Sequence, residues 1–345
     1  IWKRAQNYCA TQRIVMKAVL LSAINQIGVN QQPIPAVSPS KSVVKVLACG
    51  ICGTDRHIYK GEYPSAKPVI LGHEFGGVIE EVAAGSKFSK GDLVSVDPNI
   101  VCGECIDCKA GRTAFCPTLT ALGVNIDGGL AEYVLVPDSQ IYKVSNDLNP
   151  LHLAFIEPTA CCIRGMDIAD LTGGEKVVVL GGGVMGQIVV QLAKLAGASQ
   201  ITMVTRQKTR RDLAVTLGAT DSVDPADKDY AQKMDKYDVA FECAGAVETF
   251  NSAQIIVRRG GSIIVLGLTP EKTYVDFNPF QLVIKELRIV GSFLNPLTQR
   301  RAADLIDAGK LKLDPLISKV LSLDEVPAIL NQPPADGDIK YIVKP

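Results

Sequence analysis

From Met16 to about Val136 the apolar residues come in short β-rich runs: "SVVKVLAC", "GGVIEEVA", "DLVSVDP" and "AEYVLVP". Gly and Pro break the chain between them, and short strands with turn signals predict an all-β barrel or sandwich. The period turns helical near "PLHLAFIEPTACCIRGMDIADL", where apolar positions stop alternating. Strands and helices then take turns. "KVVVLG" is an unbroken apolar strand, "VMGQIVVQLAKLAG" a helix closed by glycine, "QITMVT" a strand and "TRRDLAVTLG" a helix. "YDVAFECAG", "GSIIVLG" and "ELRIVGS" supply further strands. Apolar strands alternating with helices predict a parallel sheet covered on both faces. The interval between "DSVDP" and "YDVAFE" is short for a full crossover and leaves room at "AQKMDK" for only a stub of helix. After about Asn295 a helix, "TQRRAADLIDAGKL", and a strand, "DIKYIVKP", follow.

Composition narrows the picture. A chain of 345 residues exceeds one ordinary core, so two domains are expected. Lys plus Arg equals Asp plus Glu at 36 each, which argues against a nucleic-acid or anionic-membrane surface as the main business. No uninterrupted apolar run reaches the length of a transmembrane helix. Residues 1–15, "IWKRAQNYCATQRIV", lack the apolar middle of a secretory signal and read as an extension. Of ten cysteines four are clustered at metal-like spacing, and several others sit in apolar surroundings. A reduced, cytoplasmic compartment fits this better than a disulfide scaffold.

Two motifs carry chemistry by spacing alone. Gly181, Gly183 and Gly186 stand in G-x-G-x-x-G register directly after a strand and at the start of a helix. That context allows a tight turn, close approach of a pyrophosphate and helix–strand packing, with free N–H groups at the helix end. Cys102, Cys105, Cys108 and Cys116 fall at C-x2-C-x2-C-x7-C, a set able to close a tetrahedron on Zn²⁺. The bacterial iron–sulfur run ends with a gap of three rather than seven. A zinc ribbon gripping nucleic acid is disfavoured, because Lys109 and Arg112 are balanced by Glu104 and Asp107. Cys52, His57, His73, Glu74 and Glu157 are scattered possible ligands. Each alone reads as a buried thiol, a surface turn or a helix end. Together, upstream of a dinucleotide fold, they suit alcohol oxidation, which needs a hydride acceptor and an open metal site with three protein ligands.

"GICGTD", "GHEFGG", the four-cysteine lobe, "DGGLAEYV", "IEP" and "GGGVMG" follow the order and spacing of the zinc-dependent medium-chain dehydrogenases. The chain resembles that family from Met16 to Pro345, and within it the sorbitol, polyol and threonine dehydrogenase branch, because Glu157 stands where the alcohol dehydrogenases of the family carry cysteine. The resemblance implies a GroES-like β-barrel catalytic domain over 16–158, with a structural zinc lobe near 99–118. It implies a Rossmann doubly wound parallel sheet over 159–295 and a return to the catalytic domain over 296–345. It further implies two Zn²⁺ per chain: a structural ion on Cys102, Cys105, Cys108 and Cys116, and a catalytic one held by Cys52, His73 and Glu74, with Glu157 as ligand or bonded to the zinc water. Thr54 would take the substrate proton and His57 pass it on. A homodimer or homotetramer acting on a small alcohol or ketone is the implied assembly, without nucleic-acid or membrane partners.

The cofactor residues implied are Gly181, Gly183, Val184, Met185, Gly186, Thr205, Arg206, Arg211, Leu268 and Phe293. At the end of the second strand an acid marks NAD, whereas an Arg accommodates the 2′-phosphate of NADP. No carboxylate stands from 201 to 211, and Arg206 with Arg210 or Arg211 offers charge there. NADP is therefore expected over NAD. A carbonyl reductase using the same site backwards, and a non-catalytic dinucleotide sensor, are the competing readings. The sensor would need none of the ligand and relay residues.

Overall fold

The computed structural model of the chain describes residues 15–332 and 334–345. Six strands in the C-terminal half lie in the order Asp221–Val223, Gln200–Val204, Lys176–Leu180, Tyr237–Glu242, Val257–Val265, Arg288–Gly291. Every adjacent pair is parallel. The order reverses beside Lys176–Leu180, and such a switch point opens a crevice at the carboxyl ends of the strands. Alternate side chains of this central strand serve opposite faces. Val177 and Val179 pack with Ile163, Ile188 and Val189, and Val178 and Leu180 with Ala253 and Ile256. The unbroken apolar run is thus explained by burial on both sides. The short crossover is a single turn, Tyr230–Lys233. It suffices because Ala231, with Tyr230 and Met234, covers the sheet beside Val178 and Tyr237.

In the N-terminal half Lys41–Gly50 is the hub of a seven-stranded sheet. It pairs antiparallel with Glu74–Glu81, Tyr133–Pro137 and Lys340–Val343. A three-stranded sheet of Gln26–Pro33, Val15–Ala23 and Val69–Ile70 packs beside it, bridged at Ala18 and Ala131. Val19, Leu21, Val44, Val46, Phe75 and Ile79 fill the core between them. The first strand opens at Val15, one residue inside the segment read as an extension; the rest of that segment lies outside the described residues.

Two features of the chain path position the site. Helix Ile156–Ala169 buries Ile156, Ala160 and Ile163 in one cluster with Val177, Ile188, Ala302 and Ile306, so it lies against both the parallel sheet and the late helix Gln299–Asp307. The last strand then sets Ile342 opposite Gly50 in the N-terminal sheet. Among the described residues no helix is long and apolar enough to cross a membrane.

Candidate active site and zinc centres

Cys52 caps helix Gly53–Lys60 just after the hub strand ends. Its N–H donates to Asp55 Oδ2 at 2.8 Å, closing the helix start as a capping box does. The other oxygen of the fully buried Asp55 lies 3.4 Å from His73 Nδ1. That ion-pair contact is longer than a hydrogen bond; it turns Nδ1 towards the carboxylate and leaves Nε2 as the nitrogen free to ligate. Burial works against protonation of His73, but the Asp55 and Cys52 charges outweigh it and hold the imidazole well above its ordinary range. His73 and Glu74 sit side by side at the start of strand Glu74–Glu81, both buried. Cys52, His73 and Glu74 each offer one ligand atom within 4.8 Å of the others, a donor set of N, S and O that suits Zn²⁺.

Glu74 has a second partner that the sequence does not reveal. Lys340 Nζ donates to Glu74 Oε2, and the two side chains are 1% and 2% exposed. Burial pulls the Lys340 ammonium down, yet the Glu74 charge holds it above its usual range. Glu157, on the first turn of helix Ile156–Ala169, lines the same cavity but stands outside the compact set. Its Oε1 accepts from Cys161 Sγ at 3.3 Å. Burial, opposed by His73 and reinforced by Glu74, pushes its carboxyl up to about 7. Cys49, on the hub strand Lys41–Gly50, is fully buried.

The cavity, of about 860 Å³, joins the two halves of the molecule. Cys52, Thr54, His57, His73, Glu74 and Glu157 line one part, and Val184, Met185, Leu268 and Phe293 line another. Thr54 and His57 are three residues apart on one helix, hence on one face. His57 Nδ1 lies 2.7 Å from Glu62 Oε2, which leaves Nε2 for a relay.

Gly181, Gly183, Gly186, Thr205, Arg206 and Arg211 do not line that cavity. They continue from it along the switch point. A Cβ on Gly186 would come within 1.9 Å of Gly181 O, whereas a Cβ on Gly183 would meet nothing within 4 Å. One glycine is thus needed for packing and the other fronts open space, as a pyrophosphate cradle requires. Thr205 is buried and Arg206 exposed. Arg206's guanidinium makes no hydrogen bond or ion pair among the described residues. Arg211 does not stand ready for a phosphate: its Nη1 donates to Thr205 O at 2.7 Å and Arg206 O at 2.6 Å, and pairs with Asp224 at 2.9 Å. It braces the loop instead. Arg210 donates to Asp338 O, and Lys208 pairs with Asp212 at 2.7 Å.

The four lobe cysteines also lie within 4.8 Å of one another. Cys102 Sγ is 3.6 Å from Cys116 Sγ and 3.9 Å from Cys108 Sγ. A tetrahedron with sulfurs about 2.3 Å from its centre has edges of about 3.8 Å. Backbone N–H groups of Cys102, Cys105 and Cys108 donate to Cys116, Cys102 and Cys105 sulfurs at 3.4, 3.3 and 3.4 Å. Such donation favours thiolate, and it draws Cys116 down to about 6.

A parallel dinucleotide sheet, a barrel carrying an S/N/O metal set at the shared cleft, and a closed four-thiol lobe define a zinc- and nicotinamide-dependent dehydrogenase. Comparison with known proteins agrees. Residues 38–146 match the alcohol dehydrogenase GroES-like domain, and residues 184–308 match the zinc-binding dehydrogenase family. D-arabitol-phosphate dehydrogenase of Enterococcus avium is 32% identical over 90% of this chain and 92% of that one. Sorbitol dehydrogenase of Bacillus subtilis is 30% identical over 90% of this chain and 91% of that one. A Sinorhizobium meliloti 1021 structure, described as a zinc-binding dehydrogenase bound to NADP, superposes with a TM-score of 0.94 at 44% identity, covering 96% of this chain and 100% of that one. The chain belongs to the zinc-dependent medium-chain dehydrogenases, in their polyol and threonine dehydrogenase-like branch. Its fold is the expected pair of a GroES-like barrel and a Rossmann sheet.

Sequence reading missed Asp55, Glu62 and Lys340. Asp55 had a local signal, an acid three residues after a helix cap. Lys340 had none, because only the return of the last strand brings it to Glu74.

Proposed function

We propose that the protein oxidises a secondary hydroxyl of a polyol or similar small alcohol, with NADP(H) preferred over NAD(H), and that it holds two Zn²⁺ per chain. The observation that carries this reading is one cavity lined both by the Cys52, His73 and Glu74 set and by the first turn of the Rossmann helix at Val184 and Met185. Cys52 Sγ, His73 Nε2 and a carboxylate of Glu74 or Glu157 would hold the catalytic ion, and Cys102, Cys105, Cys108 and Cys116 the structural one. When bound, zinc supplies a Lewis acid at the substrate hydroxyl and the nicotinamide supplies the hydride acceptor. Thr54 accepts the hydroxyl proton and His57, anchored on Glu62, carries it towards solvent. Asp55 keeps the His73 ring in place, and Lys340 pairs with Glu74 from the side of the last strand. Arg206, unpaired beside Thr205, supports the NADP preference.

A homo-oligomer is part of the same proposal. Phe280 and Val283 are 65% and 71% exposed on a helix next to the edge strand Arg288–Gly291, an apolar face that a second copy would cover. Reduced cysteines favour a cytoplasmic setting. The test is kcat/KM for a panel of polyols and simple secondary alcohols with each nicotinamide. Turnover of secondary hydroxyls with a higher kcat/KM for NADP than for NAD is expected; absence of turnover on every alcohol, or preference for NAD, removes the corresponding part.

A further inference from the structure

Two permanent cations, Arg56 and Lys340, and two histidines, His57 and His73, line the active cavity. Each is committed. Arg56 Nη1 donates to Ile329 O at 2.6 Å and to Gln332 O. His57 is on Glu62, His73 on Asp55 and Lys340 on Glu74. Arg112 and Arg164 face a neighbouring cavity that shares only the wall of Leu266 to Leu268 with Ser292 and Phe293. The two permanent cations of the active cavity are thus both paired, and neither is left for an anionic substrate.

Asn99 lines the same cavity and presents the opposite chemistry. Its orientation is fixed step by step from a backbone carbonyl, which can only accept. Gln299 Nε2 donates to Val96 O at 3.1 Å and to Ser95 Oγ at 2.9 Å. Gln299 Oε1 must then accept, and it does so from Asn295 Nδ2 at 3.0 Å. Asn295 Oδ1 accepts in turn from Asn99 Nδ2 at 2.7 Å. Asp97 Oδ1 accepts from the Asn99 N–H at 3.0 Å and from both asparagine amides at 3.3 Å. Asn295 and Gln299 are 2% and 1% exposed, so the amides behind Asn99 are sealed from water. With its nitrogen spent, Asn99 keeps Oδ1 as an acceptor with no partner among the described residues. It is not one of the buried orphan atoms; it stays accessible on a half-buried residue.

We infer that the substrate is an uncharged polyol and that Asn99 Oδ1 accepts a hydrogen bond from a hydroxyl neighbouring the one oxidised. This rests on the alcohol-dehydrogenase reading above and sharpens it. Asn99 acts by binding and needs no part in the proton or hydride transfers. The amide network spans the barrel residues 95–99 and the residues 295–299 that follow the parallel sheet, so the acceptor is set only when both halves of the molecule are assembled.

The experiment compares 2,3-butanediol with 2-butanol, and a five-carbon polyol with its phosphate ester, as substrates of the zinc-replete wild type and of Asn99→Leu and Asn99→Ala. The wild type should favour the diol over the mono-alcohol and the free polyol over the phosphate. Both variants should raise KM for the diol about three- to tenfold, the worth of one neutral hydrogen bond, with kcat little changed. The loss should be larger for the diol than for 2-butanol, which has no second hydroxyl to lose a partner, so the ratio of their kcat/KM values should fall about three- to tenfold. Asn99→Ala guards against misfolding from the bulkier leucine, and the wild-type preferences decide the neutral class if neither variant folds. A wild type that prefers the phosphate ester overturns the uncharged substrate. An unchanged diol to mono-alcohol ratio in a variant that still oxidises 2-butanol overturns the role of Asn99 while leaving the alcohol-dehydrogenase reading intact. A wild type that oxidises none of the four overturns both.

Discussion

Lys340→Met breaks the buried pair behind the candidate zinc ligand Glu74. Both partners are almost wholly inaccessible, and the space for them exists only because position 50 is glycine: a Cβ there would come 2.4 Å from Glu74 Oε2 and 2.6 Å from Lys340 Cε. Removing one side leaves a carboxylate without its counter-charge, which costs about 3–5 kcal/mol. For 345 residues unfolding entropy is about 0.7 kcal/mol/K, so the melting temperature should fall by about 4–7 °C. The assay is thermal unfolding of wild type, Lys340→Met, Glu74→Gln and the double variant, all with the labile metal chelated so that the pair alone is read. The double variant should recover most of the loss, with a coupling of about 2 kcal/mol or more. A single variant melting within about 1 °C of wild type, or a double variant no better than the single, would refute the pair as a stabilising contact.

Three further outcomes follow from the same geometry. His57→Ala should slow turnover chiefly below neutral pH and much less at high pH, where hydroxide replaces the relay; superimposable pH profiles would take His57 out of the mechanism. Arg206→Asp should weaken NADP by about 1–3 kcal/mol and improve NAD, read as the ratio of kcat/KM for the two cofactors; a wild type already favouring NAD would make Arg206 a solvated side chain. Asp97, pushed up by burial to about 6 from an ordinary value of 3.8, binds its proton more tightly folded than unfolded. Stability should therefore fall as pH rises from about 4 to about 6, by a few kcal/mol at most. Asp97→Asn should flatten the urea midpoint across that window, and an equally steep fall in the variant would assign it elsewhere.

How much was legible depended on the reach of each signal. The alternation of strands and helices from 176 onwards is local, and the sheet formed as read because "KVVVLG" is apolar on both faces. The four lobe cysteines lie within 15 residues of one another and their spacing alone set the cluster. Cys52, Thr54 and His57 lie within six residues, on one helix and its cap, but their grouping was carried by the resemblance of "GICGTD" and not by any period. Arg211 misled because charge does not announce its partner: Asp224, on the far side of the next strand, takes it. Lys340 and Asn99 were invisible for the same reason. Their roles come from contacts between segments about 200 residues or more apart in the chain, which no periodicity encodes.

The most direct test is NADP reduction by a secondary polyol, followed by the near-ultraviolet absorbance of the reduced nicotinamide, while the more labile zinc is chelated and then returned. The Cys52, His73 and carboxylate site keeps an open position and should lose its ion first, whereas the four-thiolate lobe should keep its own. The account predicts two zinc ions at the start, loss of turnover with the first, retention of the fold with the second, and recovery when zinc is restored. Turnover that survives with one zinc per chain, or metal-replete protein that never held a second ion, would contradict it.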